Sequence, residues 1–299
     1  MIVGIISYLP EDIAIREQRK SAHQKQLEWL RGILPDVQIY VVQRGYRDED
    51  FVDGIHYLES PHGPGASRNA LLKTLYSTNE DFMLLLDDDF GLYDYYGGDE
   101  MLREVNNHPE KFMELDLINF SNPTKAGFRK PMMDNKEIVE KYYTFNSIAS
   151  KQLNLSIVKN FKKYYNKEYF LYEEYTSFVS IAEDYEFIFQ LLLDGLNAIT
   201  CSDLIGKSFS NISTVTDYNK KLSESKQHAE NLDRTYFYLA KKYNIPYDDI
   251  SQIRSELTKR VRTIRKSKNL RPYKSILIER EHPHVFTEKE LDYKPRKKS

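Results

Sequence analysis

Cysteine occurs once in the 299 residues, at Cys201. A single thiol excludes an internal disulfide and a cysteine-based zinc site, so any bound metal must sit on oxygen or imidazole; the scarcity fits a reducing cytoplasm. Long apolar runs are also missing. The opening stretch Met1–Leu9 carries no positively charged leader and is broken by Pro10 and the Glu11-Asp12 pair. Neither a secretory leader nor a membrane span is expected, and the expected location is cytoplasmic. Two glycine signatures fail as well. Gly63-Pro64-Gly65 lacks the third glycine of a dinucleotide fingerprint and follows the third expected strand instead of the first, while Gly206-Lys207-Ser208 lacks the earlier glycine of a Walker loop. Nicotinamide, flavin and P-loop chemistry are set aside.

What is present is a globular composition, 40% hydrophobic and 29% charged, with 23 tyrosines. The net charge of −2 conceals an asymmetry. Residues 251–299 hold 15 Lys/Arg against 6 Asp/Glu, a balance of +9, and residues 1–250 hold 28 against 39, a balance of −11. A basic segment on an acidic body suggests a polyanionic partner; a solvated charged face is the alternative.

Strand and helix patterns alternate through the first ninety residues. Ile2–Tyr8, Val37–Val42, Ile55–Leu58 and Phe82–Leu86 read as strands, Glu17–Ile33 and Ala66–Tyr76 as helices, and Pro61 to Gly65 as a turn. Further strands are expected at Leu117–Phe120, around Tyr142–Ile148 and at Asn197–Thr200, with a helix from Ala182 to Leu193 stopped by Gly195. Lys220–Tyr243 reads as helical, and after Pro246 the spacing of Ile250, Ile253, Leu257, Val261 and Ile264 predicts another helix. The expected organisation is one α/β domain over 1–214 and a basic helical extension over 215–299.

Two acidic groups stand out. Asp87-Asp88-Asp89 ends the apolar strand, where like charges repel unless a cation intervenes. In an extended segment Asp87 and Asp89 share a face and offer oxygen ligands to Mg²⁺ or Mn²⁺. Ligands of open α/β sheets bind outside the carboxyl ends of the strands, so a metal there would hold a substrate diphosphate. Turn glycines before Arg68-Asn69 place backbone N–H groups and Arg68 where phosphate or sugar oxygens could meet them, though an ordinary capped turn explains them equally. The second group, Glu183-Asp184, opens a helix. A carboxylate there is either a favourable partner of the helix dipole or a general base toward an acceptor hydroxyl. Tyr172 to Tyr175 precede it and either line an acceptor pocket or pack; Trp29 and the histidines, His23 among them, read as structural.

A first strand from residue 2, Arg68-Asn69 opening a helix, Asp87-Asp88-Asp89 after an apolar strand, and Glu183-Asp184 about a hundred residues later together resemble the GT-A glycosyltransferases. The resemblance covers roughly residues 1–210. It implies a Rossmann-like, mostly parallel central sheet, a UDP-sugar donor and a Mn²⁺ or Mg²⁺ cofactor. It also implies Asp87 and Asp89 on the metal, Tyr8, Arg68, Asn69, Asp87 and Asp88 on the donor, and Asp184 with Glu183 on the acceptor side. The chain departs from the pattern after the second strand, where Gln43-Arg44-Gly45-Tyr46 stands in place of the acidic residue that often reads the base, and no His immediately after Thr200 supplies an obvious third metal ligand.

The opening Ile5 to Pro10 and the basic C-terminal helices look like the phage enzymes that glycosylate 5-hydroxymethylcytosine in DNA or extend its sugar. That likeness implies a DNA acceptor tracked by Arg254, Lys259, Arg260, Arg262, Arg265, Lys266, Lys268, Arg271 and Lys274. Three alternatives remain: a polysaccharide or protein acceptor with the tail on a membrane surface, a sugar-phosphate nucleotidyltransferase, and a DNA-binding module with an inactive core.

Overall fold

The computed structural model describes residues 1–59, 63–92, 97–121, 155–165, 170–173, 183–194, 196, 198–209, 226–245 and 287–294. Strand β1 (Ile2–Tyr8) is followed by α1 (Ile13–Ile33), β2 (Ile39–Arg44), β3 (His56–Glu59), α2 (Gly63–Ser77) and β4 (Phe82–Asp87). Then come β5 (Phe90–Leu92), α3 (Gly98–Asn107), β6 (Leu117–Ser121), β7 (Leu155–Lys159) and β8 (Ala198–Ser208). The described strands form one sheet in the order β3-β2-β1-β4-β7-β6-β8-β5. β3, β2, β1 and β4 run parallel, β7 is antiparallel to both of its neighbours, and β8 is parallel to β6. The fold is therefore α/β with a mostly parallel central sheet, as expected.

Side chains alternate across a strand, and that alternation sorts the core into two layers. Val3 and Ile5 of β1 and Phe82, Leu84 and Leu86 of β4 pack with Leu27 and Leu30 of α1 and Met101, Leu102 and Val105 of α3. Ile2, Met83 and Leu85 face the other way, onto Leu71, Leu72 and Leu75 of α2. Gly4 lies on this second face, where a Cβ would come within 2.7 Å of Met83 Sδ and 3.1 Å of Leu71, so the glycine lets α2 approach the sheet. By the same alternation Asp87, two residues beyond Leu85, emerges toward α2. This parity places the site.

Three departures from the expected elements have local causes. Asp12 caps α1 by accepting the Ile15 N–H at 3.1 Å, so the helix starts at Ile13 instead of Glu17. Gly63-Pro64-Gly65 forms the first turn of α2 and not a turn before it; proline suits that turn because its missing N–H has no helical partner there. β8 runs for eleven residues, with an irregularity opposite Phe120 and Ser121, after which it leaves β6 and pairs with β5. β5, α3 and β7 were not foreseen. The β-rich stretch Tyr142–Ile148, the helix through Ile250–Ile264 and the boundary near residue 214 lie outside the described residues.

The helix Lys226–Lys242 brings Tyr236, Tyr238, Leu239 and Ala240, and the residues just after it bring Tyr243 and Ile245, into the same core as Leu71 and Phe187. The segment Thr287–Lys294 lies against it: Leu291 is buried, Tyr293 donates to Asp233 at 2.6 Å, and Lys241 binds the Glu290 carbonyl. No described helix is long and apolar enough to cross a membrane.

Candidate active site at the carboxyl ends of the parallel strands

Arg68, on the second turn of α2 and only 5% exposed, joins the two acidic groups singled out in the sequence. One Nη1 lies 2.8 Å from Glu183 Oε1 and 2.8 Å from Asp184 Oδ1, and Nη2 lies 3.4 Å from Asp87 Oδ1. Glu183 and Asp184 open the helix Glu183–Leu193, whose N-terminus favours negative charge. Gly65 permits the meeting, because a Cβ there would fall 2.8 Å from the Glu173 carbonyl oxygen and 3.5 Å from the Glu183 side chain. The Arg68–Asp87 and Arg68–Asp184 distances tie together residues separated by 97 positions in the chain, Asp87 and Asp184.

One guanidinium against three carboxylates leaves the cluster negatively charged. Burial raises the Asp87 pKa to about 7; Arg68 opposes the rise, and Asp184, Asp89 and Asp88 add to it. Burial also lifts Glu183 to about 7, with Asp184 reinforcing and Arg68 opposing. Burial disfavours the charge of Arg68, but Asp184, Asp87 and Glu183 outweigh it and hold the guanidinium firmly protonated.

Asn69 is buried, with its side-chain amide paired to the Tyr172 backbone: Nδ2 donates to the Tyr172 carbonyl at 2.9 Å, and Oδ1 accepts the Tyr172 N–H at 2.7 Å. These two bonds hold the segment Phe170–Glu173 against α2. The Tyr172 ring stacks on Phe187 with centroids 4.1 Å apart and lies 5.5 Å from the Arg68 guanidinium. Its buried hydroxyl has no hydrogen-bond partner among the described residues, and burial pushes its pKa well up.

Asp88 and Asp89 form a turn instead of continuing the strand, so the alternation that would give Asp87 and Asp89 a common face stops at Asp87. Asp88 folds back under β1: it accepts from Ser7 Oγ at 2.8 Å and from the Tyr8 N–H at 3.4 Å, with Arg19 Nη1 3.4 Å away. The Tyr46 hydroxyl donates to Ser7 Oγ at 2.8 Å. The Asp89 carbonyl accepts the Phe209 N–H at 2.7 Å, and Gln26 Nε2 donates at 2.6 Å to the carbonyls of both Asp87 and Phe90. The aspartate turn is thus gripped from α1, from β1 and from the end of β8. Tyr8 stands at the end of β1, 47% exposed, with the Arg44 guanidinium 5.6 Å from its ring centroid.

Sequence reasoning missed Gln26, Ser7, Arg19 and Tyr46. Gln26 was detectable as a polar residue inside the apolar stripe Ala22, Leu27, Leu30 and Ile33, and Ser7 as a polar residue in phase with Val3 and Ile5. His23 is buried and bonded to Gln26 at 3.1 Å; burial lowers its pKa and keeps it neutral. Trp29 donates to Asp99 at 3.0 Å. Arg254, Lys259, Arg260, Arg262, Arg265, Lys266, Lys268, Arg271 and Lys274 lie outside the described residues, as do Glu174 and Tyr175.

Among the described residues no three His, Cys, Asp or Glu side chains converge in a metal-holding arrangement. The donor set still suits a hard divalent ion: it is all oxygen and carries excess negative charge, and Mg²⁺ is commonly held by one or two carboxylates together with substrate phosphates and water.

No protein-family model and no curated protein matches the chain. Solved structures align along most of its length at low identity. A crystal structure of S. aureus TarS 1-349 aligns at 12% identity and a TM-score of 0.44, covering 90% of this chain and 91% of that one. The same protein in complex with UDP-GlcNAc aligns at 15% identity and a TM-score of 0.44, covering 91% and 76%. A CMP:2-keto-3-deoxy-manno-octonic acid synthetase complexed with CTP aligns at 10% identity and a TM-score of 0.39, covering 75% of this chain and 98% of the synthetase.

Proposed function

We propose that the chain is a GT-A-type glycosyltransferase that moves a sugar from a nucleoside diphosphate, UDP in our reading, to an acceptor hydroxyl. The observation that carries this reading is the Arg68 junction, which gathers Asp87 at the carboxyl end of β4 and Glu183-Asp184 at a helix N-terminus into one acidic site. A donor site and an acceptor-side base need this proximity.

In this reading Asp87 would hold Mn²⁺ or Mg²⁺ from the end of β4, with Asp89 reaching the ion from the following turn and not from the same strand face. When bound, the ion offsets the charge that develops on the departing diphosphate. Tyr8, exposed at the end of β1 beside Arg44, offers a flat face to a nucleobase. Arg68 holds the carboxylates together in fixed positions. Asp88 and Asn69 serve the donor indirectly, Asp88 by tying the turn to Ser7 and Tyr8, Asn69 by fixing Tyr172. For an inverting transfer, the acceptor oxygen bonds to the sugar C1 while the C1–oxygen bond to the diphosphate breaks, and Asp184 takes the acceptor proton with Glu183 beside it.

For the acceptor we propose a hydroxymethylated or already glucosylated cytosine in DNA, on a phage-type substrate. The support is the +9 balance of residues 251–299 against the −11 of the rest. The test is to incubate the protein with UDP-sugars, Mn²⁺ and hydroxymethylated DNA and to weigh the digested nucleosides. A hexose or pentose added to the modified base is the expected result. UDP release without a modified nucleoside would keep the transferase and reject DNA as the acceptor.

A further inference from the structure

Behind the acidic pair lies a second charged cluster that the proposed chemistry does not use. Lys242, at the end of the helix Lys226–Lys242, is 6% exposed at its side chain and sits between two carboxylates. Its Nζ binds Glu173 Oε2 and lies 3.2 Å from Glu186 Oε1. Tyr238 donates to Glu173 Oε1 at 2.8 Å, and Tyr243 donates to Glu186 Oε1. The rings of Tyr238 and Tyr243 stand 5.8 and 5.9 Å from the ammonium.

Both carboxylates belong to elements that build the site. Glu186 is one helical turn after Glu183, on the same helix as Asp184, and residues three apart share a face. Glu173 follows Tyr172, whose ring lies under Arg68, and the Glu173 carbonyl is the atom that packs against Gly65. A single ammonium therefore fixes the acidic helix and the Tyr172 segment relative to each other and to the helix Lys226–Lys242. Removing the lysine takes away the one partner shared by Glu173 and Glu186; since burial already raises the Glu186 pKa, the two carboxyls then take up a proton or separate, and in either case the tie between their elements is lost.

We propose that Lys242 is a positioning residue of the site: through Glu186 it sets the helix that presents Glu183 and Asp184, and through Glu173 it sets the segment that carries Tyr172. Its role in turnover rests on the transferase reading above; its mechanical role does not. The helix leading into the basic segment is on this account a working part of the catalytic unit and not a detachable appendage.

Hydrogen exchange on the intact chain, comparing wild type with Lys242→Met, tests the mechanical role without reference to activity. Exchange in residues 183–194 and 170–173 is expected to quicken by roughly tenfold or more while α1 and β2 keep their protection. Unchanged exchange in those two segments, or a uniform rise throughout the chain, would overturn the proposal. If Lys242→Met does not fold, Glu173→Gln decides: it leaves Lys242 and Glu186 as a balanced pair, so exchange is expected to quicken in residues 170–173 while residues 183–194 keep their protection, and unchanged exchange in 170–173 would overturn the proposal. UDP release from UDP-glucose in the presence of hydroxymethylated DNA then tests the consequence: kcat is expected to fall by about 100-fold with KM for the donor nearly unchanged, because small misplacements cost rate more than affinity. Lys242→Arg, which keeps the charge, should restore part of the rate, and an unaltered kcat in Lys242→Met would count against the proposal. Failure of the wild type to release UDP from any UDP-sugar would reject the transferase reading and leave the exchange result to decide the role of Lys242.

Discussion

Arg68 is asked to do something no lysine could do as well. Its planar fork reaches Glu183, Asp184 and Asp87 at once, whereas an ammonium on a flexible stem presents a single point charge. Replacing it by Met leaves three carboxylates without their counter-charge, and we expect Arg68→Met to lose about 3–5 kcal/mol in urea unfolding. A loss below 1 kcal/mol would show that the cluster relaxes freely into solvent. Asn69 gives a contrasting expectation. Because its amide is committed to the Tyr172 backbone, Asn69→Ala should cost about 1–3 kcal/mol of stability, the range for stranding buried backbone groups. A variant as stable as wild type but unable to bind UDP would mean that Asn69 contacts the donor directly.

The elements around the site are braced by charge as much as by apolar packing. Arg16, near the start of α1, is buried against Asp50 in the connection after β2, and Lys20 reaches the same carboxylate at 2.8 Å. Burial opposes the charge of Asp50, but Lys20, the Arg47 N–H and Arg16 prevail and hold its pKa below the usual 3.8. Such a group stabilises the fold above its unfolded pKa and loses that contribution as pH falls through its lower native value. Asp50→Asn should accordingly cost about 3–5 kcal/mol at neutral pH, and the difference from wild type should shrink below about pH 4. Chemical unfolding at several pH values checks this; a difference that grows on acidification would contradict the assignment.

The order of strands and helices through the end of β4 at Asp87 was legible because each element there carries its own signal: apolar alternation or a continuous apolar run for the strands, and a periodic stripe for α1. β7 gave no such signal. Leu155, Ser156, Ile157, Val158 and Lys159 are all buried, but its polar members resemble loop residues until Asp116 is seen to receive Lys159, with both its carbonyl and its carboxylate. The acidic residues of the candidate site stood out by their places in the pattern, three aspartates after an apolar strand and Glu183-Asp184 at the start of a helix. Their junction was not. Arg68 was read as a ligand for phosphate, and nothing local in the sequence announces that it spans to Glu183, 115 positions away.

At the scale of the molecule the charge asymmetry makes a separate prediction. If about five basic residues of 251–299 meet phosphates, duplex DNA affinity should fall with salt at a log–log slope near −4 to −5, by release of about 0.9 counter-ions per contact. Fluorescence anisotropy across a salt series measures it, and a slope near zero would remove nucleic acid as the partner of this segment.

The account stands on the aspartate turn as a metal-dependent diphosphate site. Calorimetric titration of UDP into the intact protein, with Mn²⁺ and after chelation, in wild type and Asp89→Ala, tests this most directly. The expected result is binding that requires Mn²⁺ in the wild type and is lost or strongly weakened in the variant. Equal UDP affinity in both proteins, indifferent to the metal, would contradict it.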